Sequence, residues 1–304
     1  MSPRTSDEWI VARTGIKERR MVLPGQAMSD LATPAAAKAL EMAGVTASEL
    51  GLIVVGTSTA DMLSPSCACI VQHNLGAKGA VAFDVNAACP GFIYGVAVAM
   101  RFIADGTCKR ALVVGGDIVS QRIDYQDRAT CVLFGDGAGA VVLGSRERSE
   151  QGQIFSTHLH SDGDLWELLY VPGGGSRIPP SEEMVAKRLG VVKMQGQEVF
   201  KHAVRALSDA GQEALDHNGF TSSQVDCFIP HQANLRIMEA VAKRLDIPLK
   251  KVVMTVHKYG NTSAATIPVA LDETVREGRV KRGDLVLVNS FGAGLTWGSA
   301  LFRY

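Results

Sequence analysis

Residues 44–55, Gly44-Val-Thr-Ala-Ser-Glu-Leu-Gly-Leu-Ile-Val-Val, recur without a gap as Gly219-Phe-Thr-Ser-Ser-Gln-Val-Asp-Cys-Phe-Ile-Pro, 175 positions later (219 − 44). Each copy reads as a helix end at glycine, a Thr/Ser turn and an apolar strand. Self-similarity at a fixed offset marks a duplicated unit. Outward from this stretch the match continues. The strand Ala80–Val85, Cys89 and a helix ending near Gly106 parallel the strand Val252–Val256, Asn261 and a helix ending near Gly278, and both cap-to-glycine intervals are 17 residues. A Lys-Arg pair follows each helix (Lys109-Arg110, Lys281-Arg282), and then another strand. With Leu52–Val55, Ala111–Val114, Ala140–Leu143, Cys227–Ile229, Leu285–Val288 and Ser299–Phe302 read as further apolar strands, the expected class is α/β. Two mixed-sheet halves, 1–150 and 151–304, pack so that equivalent loops meet at a shared centre.

The duplication is broken at one place. The second half opens with an extended segment, Ile154–His160, ahead of its helical stretch Gln195–Asn218. In the first half only Asp7-Glu-Trp-Ile-Val-Ala-Arg and a basic loop precede Met28. The first sheet is therefore expected to lack its opening strand, which points to a shortened amino terminus and leaves backbone groups of a buried sheet unpaired.

Composition narrows the function classes. With 46% apolar and 20% charged residues in 304, the chain can bury a large core. Lys+Arg and Asp+Glu are both 31, so a global basic field for nucleic acid is excluded. The longest apolar run, Ala87–Met100, is interrupted by Pro90 and two glycines and falls short of the ~18 residues of a membrane span. Six cysteines (67, 69, 89, 108, 131, 227) form no C-x-x-C pair for zinc or redox chemistry. A reducing, cytoplasmic setting with mostly inert core thiols is expected.

Cys89 is the exception. It lies between a strand and Pro90, which suits the first helical position, and a thiol there faces unpaired N–H groups and the positive helix end, both expected to lower its pKa. In the second half His231 closes a strand and Asn261 a glycine turn, 30 residues apart (261 − 231). By the repeat, Asn261 takes the place of Cys89 and His231 that of Gly56. A Cys/His/Asn set without a carboxylate fits two chemistries. One is protease-like, with His as base and Asn orienting it. The other is thioester chemistry, in which Cys takes an acyl group while His Nε2–H and the Asn amide hold a second thioester oxygen. The run Phe291-Gly-Ala-Gly294 favours the latter, because its turn aims a backbone N–H, that of Ala293, at an oxyanion beside the Cys89 N–H.

Six ordered motifs carry a resemblance over nearly the whole chain. They are Thr5-Ser-Asp-Glu-Trp-Ile-Val-Ala-Arg-Thr-Gly-Ile, Asp84-Val-Asn-Ala-Ala-Cys-Pro-Gly-Phe, Phe134-Gly-Asp-Gly-Ala-Gly-Ala, His231-Gln-Ala-Asn, Gly260-Asn-Thr-Ser-Ala-Ala and Phe291-Gly-Ala-Gly-Leu-Thr-Trp-Gly-Ser-Ala. Together they resemble β-ketoacyl-[acyl carrier protein] synthase III. The resemblance implies a thiolase-like fold in a layered αβαβα arrangement, and a condensing acyltransferase that initiates fatty-acid synthesis. It implies that Cys89 is acylated from an acyl-CoA and that His231 and Asn261 promote decarboxylation of malonyl-acyl carrier protein and condensation. No metal or redox cofactor is implied; the coenzyme A thioester is a substrate.

The same likeness implies that Trp9 meets the adenine, that Arg13 and Arg128 lie near the phosphates, and that Asn234 and Arg236 line the pantetheine tunnel and its mouth. Arginine suits phosphate by its fork and permanent charge. The basic set Lys201, His202, Arg205, Lys243, Arg244, Lys250 and Lys251 becomes a candidate docking face for the acidic carrier protein. A homodimer is implied, with a primer gate acting across it. At the gate position this chain carries Ser64, where acetyl-preferring relatives resemble one another in an aromatic residue; serine leaves space for primers longer than acetyl, though Phe134 and Trp166–Val171 are placed to narrow it. Pro90 and Ala293 stand where smaller or more flexible residues are expected. The competing readings are a secondary-metabolite ketosynthase or acyltransferase with another primer or acceptor, and a silent scaffold that binds carrier protein; the intact Cys/His/Asn set argues against the last.

Overall fold

The computed structural model describes residues 5–145 and 152–304. In the first half α1 (Asp7–Thr14) and α2 (Met28–Ala43) lead to β1 (Leu52–Gly56), α3 (Cys67–Leu75), β2 (Val81–Val85), α4 (Gly91–Ala104), β3 (Arg110–Ile118) and β4 (Asp136–Gly144). The second half holds β5 (Gln153–Ser161), the pair β6 (Leu169–Tyr170) and β7 (Lys193–Met194) with α5 (Glu182–Ala186) between them, and α6 (Gly196–His217). It continues through β8 (Cys227–Pro230), α7 (Leu235–Arg244), α8 (Val256–Tyr259), α9 (Thr266–Arg276), β9 (Leu285–Gly292) and β10 (Thr296–Arg303). The expected break between residues 150 and 151 lies outside the described residues.

The first sheet runs β2-β1-β3-β4 and the second β5-β10-β9-β8. In each, the inner strands are parallel (β1 with β2 and β3; β8 with β9) and the last strand returns antiparallel (β4, β10). The orders coincide once β1 is set on β8, β3 on β9 and β4 on β10, which leaves β5 without a first-half counterpart. β5 pairs with β10 along Gln153–Ser161. Among the described residues β4 has no neighbour on that side. Instead a groove of about 680 Å³ runs there, walled by α2 (Leu31, Ala35, Ala39) and α9 (Pro268, Val269, Asp272).

Among the described residues the three largest apolar clusters join five layers. Phe92, Ile93 and Val96 of α4 and Ile267, Ala270 and Leu271 of α9 fill the centre, between Val54 and Val113 of the first sheet and Ile229, Val286 and Val288 of the second. α4 is apolar nearly all round, as a helix buried on both faces must be. Outside the first sheet α2 and α3 pack on Ile53, Val55 and Leu112; outside the second, α6 and α7 pack on Phe228, Leu287 and Leu301. Burying each such large side chain contributes about 1.5–3 kcal/mol, so the αβαβα stack and the sequence pattern that builds it share one cause.

One strand reading is corrected. Val252–Val256 is not a strand: Val252 makes a single bridge to Phe228, Val253 N–H donates to Phe228 O at 2.8 Å, and the chain then enters α8. The cause is the buried Gln232. Its Oε1 accepts from the Thr255 and Val256 amides at 2.7 and 3.1 Å, and its Nε2 donates to Val253 O at 3.1 Å. A side chain thus takes the groups a sheet ladder would otherwise satisfy.

Candidate active site

Cys89 sits immediately before α4, whose cap position is Pro90 and whose first helical residue is Gly91, one residue later than the sequence implied. Ala88 before it is held at φ +50°, a left-handed conformation that a residue with a Cβ adopts only when its surroundings impose it. That bend turns the thiol back into the centre of the molecule, where Cys89 is 7% exposed. The expectation of a lowered pKa is overturned. Burial pushes the thiol up to about 12; hydrogen bonding from Ser263 and from its own backbone N–H opposes this, and the Asp117 charge adds to it. Desolvation of the charged form outweighs the helix end, so at rest the residue is a neutral thiol.

Asn261 enters from the second half on the turn before α9. Its backbone is clamped to the first half: its N–H donates to Leu133 O at 2.9 Å and its carbonyl accepts from Gly135 N–H at 3.0 Å. Its side-chain Oδ1 accepts from Ser263 N–H at 2.8 Å, which assigns the oxygen and leaves the NH₂ as the donating end. Ser263, at φ +52°, directs its hydroxyl at Cys89 Sγ, 3.5 Å away. Behind this turn the fully buried Asp117 accepts at Oδ1 from the Ser58 amide (2.8 Å) and the hydroxyls of Thr57, Ser58 and Thr59 (3.1, 2.9 and 2.9 Å). Its Oδ2 accepts from Ala264 N–H at 3.3 Å. One carboxylate therefore ties the loop after β1, the end of β3 and the Asn261 turn together.

His231 follows β8 where Gly56 ends β1, as the repeat predicts. Its amide donates to Asn289 O at 2.8 Å, and its Nδ1 lies 2.7 Å from Thr266 Oγ1. Burial drives the imidazole down to about 3, so the ring is neutral at physiological pH. The turn after β9 closes the fourth side. A Cβ at Gly292 would stand 2.8 Å from the Cys89 nitrogen, so only glycine allows this approach. Thr296 Oγ1 lies within hydrogen-bond distance of both Ala87 O (2.9 Å) and Ala293 O (2.8 Å), pinning the turn to the segment before the thiol. Ser263 thus joins Asn261 to Cys89, Thr266 at the start of α9 bonds His231, and the Ala293 turn lies against the Cys89 backbone.

Residues 83–163 match the family model of 3-oxoacyl-[acyl-carrier-protein] synthase III and residues 215–304 the model of its C-terminal part. β-Ketoacyl-[acyl-carrier-protein] synthase III of Alkalilimnicola ehrlichii is 53% identical over 301 residues, covering 99% of this chain and 91% of the relative. The Xanthomonas campestris pv. campestris enzyme of the same name is 54% identical over 300 residues, with 99% and 90% covered. The crystal structure of 3-oxoacyl-[acyl-carrier-protein] synthase III from Aquifex aeolicus superposes with a TM-score of 0.91 at 46% identity, over 99% of this chain and 92% of that one. The chain belongs to the 3-oxoacyl-[acyl-carrier-protein] synthase III family. It is accordingly a condensing enzyme of the acyltransferase class on a thiolase-like fold.

Of the remaining site expectations of this synthase III chain, five side chains gather around α1. Trp9 on α1 lies between two guanidinium groups, with the Arg13 and Arg128 carbons 4.5 and 4.6 Å from the ring centre. Asn234 caps α7 by accepting from Arg236 N–H (2.9 Å) and donates to Arg13 O (3.2 Å), and Arg236 donates to Ala12 O (2.8 Å). All five are brought together. The basic face is less uniform than the sequence implied. Lys201 pairs with Glu198, Arg205 and Arg244 share Asp209, and Lys251 donates to the Ser223 and Val225 carbonyls. Ser64 lies exposed beside Leu63, Phe134 is buried against the Asn261 turn, and Trp166 is half exposed. Sequence reasoning missed Asp117, Ser263, Thr266 and Thr296. Ser263 and Thr296 lay inside quoted motifs, but the contacts of each depend on a backbone conformation that no pattern of residue types reveals.

Proposed function

We propose that the chain moves an acyl group from a coenzyme A thioester to Cys89 and condenses it with malonyl-[acyl carrier protein] to give a 3-oxoacyl-[acyl carrier protein], CO₂ and free coenzyme A. In the first step the Cys89 sulfur bonds the acyl carbon, the carbon–sulfur bond to coenzyme A breaks, and the thiol proton leaves with the departing thiolate. The amides of Cys89 and Ala293 take the developing oxyanion. In the second, loss of CO₂ from the malonyl group leaves an enolate whose oxygen accepts from His231 Nε2–H and the Asn261 NH₂. Its carbon attacks the acyl-cysteine, and the sulfur departs and regains a proton from solvent. The observation that carries this reading is the contact of Cys89 with the Asn261 turn from the duplicate unit, which joins the acyl-accepting half to the enolate-holding half.

The Trp9–Arg13–Arg128 stack supports an adenine and phosphate rim at the entrance, with Asn234 and Arg236 beside it. Docking of the acidic carrier protein is assigned near Lys201, Arg205, Lys243 and Arg244. A homodimer is supported by the edge of β2, open among the described residues and carrying exposed Val81, and by exposed Met62 and Leu63. The reducing cytoplasm suits six free cysteines. Intact-protein mass analysis after addition of acyl-CoA tests the scheme. Wild type gains one acyl mass that malonyl-carrier protein discharges, and Cys89→Ser gains no thioester. An unmodified wild type would overturn it. The small side chain of Ser64, where the resemblance implies a gate, supports primers longer than acetyl; comparable acylation by acetyl- and octanoyl-CoA is expected, and strict acetyl preference would defeat that part.

A further inference from the structure

We propose that Thr266 is a positioning residue for His231, its hydroxyl donating to Nδ1 and so fixing the ring proton on Nε2. The two atoms are 2.7 Å apart, and both residues are buried, at 2% and 3% exposure. Distance alone does not say which atom donates, but proton accounting does. The Thr266 hydroxyl makes no other hydrogen bond among the described residues. Were Nδ1 protonated, the hydroxyl could only accept, and its own proton would be buried without an acceptor. With the hydroxyl donating, its proton and the Nδ1 lone pair are satisfied together. Nε2, which takes no protein partner among the described residues, then carries the remaining ring proton.

The arrangement is the reverse of a carboxylate-oriented histidine. A carboxylate at Nδ1 accepts a hydrogen bond from Nδ1–H, leaves Nε2 as a base and favours imidazolium. A hydroxyl carries no charge to stabilise imidazolium, and the buried ring stays neutral. Thr266 opens α9, the helix that the Asn261 turn feeds, so the residue that orients the imidazole and the residue that offers the carboxamide belong to one rigid segment. The inference rests on the proposed condensing role only for its consequence: a neutral Nε2–H is the donor an enolate oxygen needs.

Nitrogen-15 NMR of histidine-labelled protein tests the tautomer without reference to activity. In wild type the His231 Nδ1 resonance is expected in the unprotonated range and Nε2 in the protonated range from pH 5.5 to 8. Thr266→Ser should keep that signature; Thr266→Val, nearly isosteric but without the donor, should lose it. Discharge of a preformed acyl-enzyme by malonyl-carrier protein should slow on the order of 100-fold in Thr266→Val, the cost of one misaligned oxyanion donor, and recover in Thr266→Ser. Protonated Nδ1 in wild type, or an unchanged tautomer and discharge rate in Thr266→Val, overturns the proposal. Should Thr266→Val not fold, the wild-type and Thr266→Ser spectra still decide it. A wild type that never forms an acyl-enzyme would instead count against the condensing reading, and the NMR result would stand by itself.

Discussion

Set one sheet on the other and β1, β3 and β4 match β8, β9 and β10 in order and direction, as do the helices α4 and α9 that each half contributes to the centre; the halves disagree in what their equivalent loops carry. β1 ends at Gly56, which a Cβ would drive to 2.4 Å from Gly91; β8 is followed at the same place by His231. α4 is preceded by a thiol and α9 by a carboxamide. Duplication supplies two similar loop sets, and divergence arms one with a thiol and the other with an imidazole and a carboxamide; in the proposed scheme the first receives the acyl group and the second holds the enolate. Function lives in that difference, because the scaffold alone would serve either chemistry.

The largest expected effect follows from removing one side at a time. Cys89→Ala should abolish the acyl adduct and all condensation. Asn261→Ala should still form the adduct, with its discharge by malonyl-carrier protein slowed about 10²–10³-fold, the range for loss of an oxyanion donor. Single-turnover kinetics with labelled primer separates the two steps. Loss of acylation in Asn261→Ala as severe as in Cys89→Ala would break the division of labour between the halves.

Next comes the group that joins them. Asp117→Ala leaves the Ser58 and Ala264 amides and the Thr57, Ser58 and Thr59 hydroxyls without their shared acceptor. Buried donors without partners are costly, and a loss of about 3 kcal/mol is expected in chemical denaturation. Acylation should fall as well, because the turn that presents Ser263 to Cys89 loses the anchor of its Ala264 amide. A change below about 0.5 kcal/mol would show that the carboxylate is not the joint described.

Much of this comparison was readable before any coordinates. The ungapped match of residues 44–55 with 219–230 gave the duplication, and the lack of a first-half counterpart to Ile154–His160 gave the open sheet. Cys89 and Asn261 could be named because the repeat sets them at equivalent helix starts, and His231 because it closes a strand at the place of Gly56. The rest failed for physical reasons. Val252–Val256 has strand composition, yet Gln232, twenty residues away, consumes its backbone groups. The Cys89 pKa was misjudged because the helix end is a local feature and burial is a tertiary one. Asp117 and Thr266 matter through partners distant in sequence, Asp117 with Ser58 and Ala264, Thr266 with His231.

A smaller effect is expected from pH. His231 titrates near 3 when folded and near its ordinary value when unfolded, so below pH 6.5 the unfolded chain binds the extra proton. Stability from this group is full above pH 6.5 and is lost as pH falls toward 3. Cys89 has the opposite sign: its contribution is full below about 9 and is lost as pH rises toward 12. Denaturation midpoints of His231→Gln should therefore depend less on pH between 6.5 and 4 than those of wild type. Parallel curves would remove the buried neutral imidazole from the argument.

The smallest effect concerns the edges, where the halves differ in backbone rather than chemistry. β10 is paired on both sides, by β9 and β5, while among the described residues β4 is paired by β3 alone. Every second β4 amide faces the groove between α2 and α9, where no ladder protects it. Hydrogen exchange resolved by residue should show alternate amides of Ala138–Leu143 exchanging about tenfold or more faster than those of Ser299–Phe302. The β4 amides bonded to β3 should stay slow, because Val141 and Val113 remain paired in the sheet. Uniform protection along β4 would mean that its outer edge is covered in solution, and the asymmetry between the halves would then belong to the isolated chain and not to the working protein.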